Sequence, residues 1–89
     1  MNKTEKRKLT IKLICEMIEK DFPDYEIDDH GEGGRMTFSP DWGDMDDGIE
    51  FSRSDYSLCT FNWASLKTKQ NEVLMEEKIN VIIKQVNEL

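Results

Sequence analysis

Apolar residues change their spacing twice along this chain, and that change constrains the fold more than any other feature. Ile11, Ile14, Cys15, Ile18 and Phe22 recur at three- and four-residue steps, with Leu13 and Met17 beside them. This is the stripe of an amphipathic helix, predicted over residues 5–21. Thr4 is the expected N-cap, and Glu5 suits the positive helix start. Pro23 restricts Phe22 and cannot continue the ladder, so the helix should stop near Asp21. From about Thr68 onward the helical period returns. Met75, Ile79, Ile82, Val86 and Leu89 make a second stripe, widened by Leu74 and Ile83.

Between the helices the period falls to two, the spacing of strands with one buried face. Tyr25 and Ile27 alternate with Glu26 and Asp28, a short edge-strand signal. His30-Gly31-Glu32-Gly33-Gly34 reads as a turn. Met36 and Phe38 form the next alternating pair, ended by Pro40. Residues 41–47 read as a loop. Ile49 and Phe51 alternate with Glu50 and Ser52, Ser54-Asp55 suits a hairpin turn, and Cys59, Phe61 and Trp63 predict the last strand.

The expected fold class is therefore α+β. It is a two-layer α-β-β-β-α sandwich, with a three- or four-stranded antiparallel sheet and both helices on one face. The other face would carry Thr37, Glu50, Ser52, Thr60 and Asn62. With 89 residues the chain has room for a single domain, 1–89, around one modest core.

Charge narrows the function classes. The net charge is −7, unevenly spread. Residues 1–15 hold five basic groups against Glu5, net +4. Residues 16–55 hold fourteen acidic groups against Lys20, Arg35 and Arg53, net −11, and residues 56–89 are neutral. A field of that sign repels nucleic acid and attracts basic protein surfaces. No apolar run reaches the length of a membrane span, and none follows the charged first residues as a leader would. The expected setting is cytoplasmic, with Cys15 and Cys59 as reduced core thiols.

The motifs offer little catalytic chemistry. His30 is the only histidine, and nothing local fixes its ring or supplies the third group that a Cys59–His30 pair would need. Asp41, Asp44, Asp46, Asp47 and Glu50 could supply oxygen ligands. The EF-hand spacing fails, however: a turn glycine at Gly48 would put ligand positions on Gly43 and Met45. Zinc spacing, GxGxxG and the P-loop lysine are all missing. The expectation is no enzyme, no cofactor and no metal site.

What remains is an acidic segment with Trp42 set inside its densest loop. Trp42 either folds back to cap the edge of the core or anchors an interface, tryptophan being the residue most enriched at binding hot spots. The candidate partner-binding residues are Asp28, Asp29, Glu32, Asp41, Trp42, Asp44, Asp46, Asp47 and Glu50. Reversing the charge at Asp44, Asp46 and Asp47 is expected to abolish binding and spare the fold.

In size, acidity, the Asp28-Asp29 and Asp41 to Glu50 clusters and element order, the chain resembles the small acidic phage-encoded inhibitors of bacterial defence. DNA-mimic anti-CRISPR proteins are an example. The resemblance implies an inhibitor that occupies the basic nucleic-acid-binding groove of a defence nuclease. An immunity or regulatory protein that binds a basic toxin fits the same charge pattern. A monomer and a homodimer, paired through a strand edge or a helix flank, are both compatible with it.

Overall fold

The computed structural model describes residues 1–29, 34–42 and 45–89. The elements run α1 (Lys3–Asp21), β1 (Tyr25–Asp29), β2 (Arg35–Pro40), β3 (Ile49–Ser52), β4 (Leu58–Thr60) and α2 (Leu66–Asn87). The four strands form one antiparallel sheet in sequence order, and both helices cover one face of it. The α+β expectation holds, with four strands.

Helix α1 begins two residues earlier than expected. Asn2, not Thr4, is its N-cap: Asn2 Oδ1 accepts the Glu5 N–H at 2.8 Å, and Asn2 Nδ2 donates to Glu5 Oε1 at 3.0 Å. Asparagine caps better than threonine, and Glu5 stands at the third helical position, where a carboxylate can answer the cap. The helix closes with the Phe22 N–H on Ile18 O at 2.9 Å, before Pro23. Ile14 and Ile18 are fully buried, with Ile11, Cys15 and Met17 packed beside them.

The register explains the core. Ile27 pairs with Phe38, Phe38 with Ile49, and Phe51 with Leu58. Directly paired residues share a face, so Tyr25, Met36, Phe38, Ile49 and Phe51 all point at the helices. Phe38 and Phe51 stack at 5.7 Å. Met75 and Ile79 close the core from α2, while Leu89 at the predicted end of that stripe is exposed.

The last strand corrects the sequence reading. The β3–β4 turn is set by Asp55, whose Oδ1 accepts the Ser57 N–H at 3.1 Å and the Ser57 hydroxyl at 2.7 Å. Tyr56 follows in a left-handed conformation, φ 61°. This turn aligns Leu58 with Phe51 and Cys59 with Glu50. The parity is therefore opposite to that expected: Leu58 and Thr60 face the helices, and Cys59 lies exposed on the open face. The strand ends at Thr60, where the Phe61 N–H donates to Gly48 O at 2.9 Å. Trp63 is left outside the core. The open face carries Glu26, Asp28, Arg35, Thr37, Ser39, Glu50, Ser52 and Cys59 instead of Thr60 and Asn62. Among the described residues no helix is long and apolar enough to cross a membrane.

Candidate functional site

The first turn of α2 contains Lys67 and Lys69 and no acidic residue. That is a poor composition for a positive helix end. Ser65 caps it, its side chain accepting the Thr68 N–H at 3.2 Å. The missing negative charge arrives from another part of the chain. Asp47 Oδ1 accepts the Ser65 N–H at 3.2 Å, and Asp47 is only 6% exposed. Burial pushes its carboxyl up. Hydrogen bonds from the Thr68 and Ser65 side chains, the Ser65 backbone and the Trp42 side chain outweigh that and hold it below the usual carboxylate range.

The network continues inward. The Tyr25 hydroxyl donates to Thr68 Oγ1 at 3.4 Å, and Asn71 Nδ2 donates to the Tyr25 hydroxyl at 3.0 Å. Trp42 lies over this cluster, edge-on to Tyr25 at 5.3 Å, with Lys67 Nζ 4.0 Å from its ring centroid. Trp42 thus covers part of the network and remains 37% exposed, with contacts that suit the capping role.

Trp63 is the more exposed of the two tryptophans, at 81%. Trp63 and Leu66 flank Ser65, and Met45 lies two residues from Asp47, so the Asp47–Ser65 bond brings these positions onto adjoining turns. Leu66 and Met45 are 71% and 95% exposed. These three large apolar side chains therefore stand exposed on turns that the Asp47–Ser65 bond holds together.

The described residues among the nine candidates do not form one surface. Asp47 is buried and structural, so charge reversal there attacks the fold, contrary to the expectation for the Asp44, Asp46 and Asp47 set. Asp29 turns toward the helix side, where it pairs with Arg53. Glu50 pairs with Arg35 at 2.7 Å. Asp28, Asp41 and Asp46 are exposed. Asp28 lies toward the β1–β2 turn, about 10 Å along the strand from Tyr25. Asp41 lies at the Tyr25 end, its N–H donating to Asp24 O at 2.9 Å. Glu32 and Asp44 fall outside the described residues, as does His30. Asp21 and Asp24, which the sequence did not single out, line the cleft beneath Trp42 with Lys67 and Asn71.

Among the described residues no group of three His, Cys, Asp or Glu side chains could hold a metal ion. Cys59 is exposed beside Glu50, and Cys15 is half-buried; burial, then Glu19, pushes the Cys15 thiol up, while Arg53 acts in the other direction. Sequence reasoning missed Trp63 and Leu66 because period-two alternation placed Trp63 in the core. The cue to their exposure is the Ser65 cap, which marks residues 61–65 as a connection. No protein-family model, curated protein or solved structure matches the chain.

Proposed function

We propose that this protein acts by binding, and that its Trp63 end docks on a basic surface of another protein. The exposure of Trp63 on a turn clamped by Asp47 supports this reading most directly. An aromatic anchor on a rigid frame loses little conformational entropy when it is buried by a partner. Leu66 and Met45 widen the apolar centre, and Asp41 and Asp46 supply a charged rim. Lys and Arg on the partner would meet that rim, adding association rate and specificity.

The partner class that fits is a protein holding nucleic acid in a basic groove, such as a bacterial defence nuclease. Asp41 and Asp46, beside the Trp63 anchor, would take the place of backbone phosphates at the edge of that groove. Direct binding of nucleic acid by the central segment is disfavoured by its charge.

The test is capture from a bacterial lysate on immobilised protein, followed by elution with a DNA duplex and mass spectrometry. The expected result is a set of nucleic-acid-binding proteins released by DNA and missing from a Trp63→Ala, Asp46→Lys variant. The same proteins on the variant, or proteins that DNA does not displace, would overturn the proposal.

A further inference from the structure

The pole opposite Trp63 has different chemistry. Lys3, Lys6, Arg7 and Thr10 fall at three- and four-residue steps on one face of α1. With Tyr56 from the β3–β4 turn, and Ile83 and Asn87 from the end of α2, they line a cleft of about 210 Å3. Three cations line it and no carboxylate does. Among the described residues, Lys3, Lys6 and Arg7 form no ion pair. In a chain of net charge −7, three adjacent cations with no ion pair among the described residues are a departure that needs a cause. Neighbouring like charges on a helix repel each other.

The cleft is also braced. Arg7 Nη1 donates to Arg53 O and to Ser54 O, both at 3.1 Å. Its guanidinium stands 5.8 Å from the centroid of the Tyr56 ring. Tyr56 is the residue held at φ 61°, a costly conformation for a bulky side chain. Such strain gathers where a structure positions groups for a ligand. Here the turn brings the Tyr56 side chain and the Arg7 guanidinium to the same cleft.

We propose that this cleft binds a small oxyanion of the phosphate class, with Lys3, Lys6 and Arg7 as the charged donors and the Tyr56 hydroxyl and Asn87 amide as neutral ones. A cleft of about 210 Å3 is of a size that suits a phosphate or a compact phosphorylated fragment and not a larger ligand. A polyanion fits less well. A duplex or an anionic bilayer would extend beyond the cleft toward the acidic segment, where repulsion reaches about 8 Å at physiological salt. A small anion stays within the reach of the three cations.

The site is independent of the protein-binding end, and its test is too. Inorganic phosphate is titrated into the protein at constant ionic strength, with sodium chloride as the balancing salt. Backbone amide shifts and the melting temperature are followed. The expected result is a saturable shift of the Lys6, Arg7, Tyr56 and Asn87 amides, an unmoved Trp63 amide, and a melting temperature that rises with phosphate. The Lys3→Gln, Lys6→Gln double variant should weaken binding about tenfold. Those side chains make no hydrogen bond among the described residues, so the variant is expected to fold. Shifts that do not saturate, equal affinity in the double variant, or tighter binding of a short DNA duplex than of phosphate would each overturn the proposal.

Discussion

The Asp47 carboxylate accepts the Ser65 backbone N–H at 3.2 Å, so the connection between β2 and β3 supplies the negative charge that the first turn of α2 lacks. This one bond joins the middle of the sequence to its last helix. It also fixes the two turns that display Met45, Trp63 and Leu66.

Asp47→Ala should destabilise the fold by about 2 kcal/mol, the combined effect of a lost negative charge at the start of α2 and unpaired buried donors. Urea unfolding measures it. The pH dependence has a definite sign. The folded carboxyl is held below its ordinary value of 3.8, so its contribution is fully present above that value. It is lost as pH falls through the lower, folded value. Asp55, lowered by the Ser57 hydroxyl and backbone N–H, acts in the same direction. Asp47→Asn should therefore flatten the acid limb of the stability curve without abolishing it.

The two tryptophans should separate cleanly. Trp42→Ala removes the lid over Tyr25 and should cost about 2 kcal/mol of stability. Trp63→Ala should change stability by no more than about 0.5 kcal/mol, while costing about 2 kcal/mol of partner binding. Unfolding midpoints and the affinity for a captured partner distinguish them. A destabilised Trp63→Ala with unchanged affinity would reverse the assignment.

Gly48 is a close-approach position. A Cβ there would meet the Phe61 ring at 3.1 Å and Phe38 O at 3.3 Å. The ring can shift, but the backbone carbonyl has less freedom. Gly48→Ala should cost about 1 to 3 kcal/mol, read as a lower thermal midpoint, and should loosen the Phe61–Gly48 bond that ends β4.

The thiols should react in two phases. Cys59 is exposed and should be modified by an aromatic disulfide reagent without unfolding. Cys15 is half-buried, its thiol raised by burial and Glu19, and should react slowly until denaturant is added. Two equally fast thiols would contradict the packing of Cys15 against the core.

Much of the fold was legible because periodicity reports burial. The stripes of α1 and α2 and the alternation at Met36, Phe38, Ile49 and Phe51 each identified a core face. The fourth strand was read with the wrong parity. Cys59, Phe61 and Trp63 alternate in composition, but register is set by the turn before them, and Asp55 with a left-handed Tyr56 aligns Leu58 inward. The site was less legible for a related reason. A carboxylate reads as surface charge in sequence, and only the fold shows that Asp47 bonds to a residue eighteen positions away.

The two edges of the sheet bear on how any partner can engage it. β1 carries Glu26 and Asp28 along one edge, and β4 offers only three residues at the other. An incoming strand would meet either a line of carboxylates or too short a ladder to hold it. Strand addition at either edge is therefore disfavoured, and the four-stranded sheet offers a partner its side chains more readily than its backbone. Short, acid-lined edges of this kind work against joining copies of the chain into a continuous sheet.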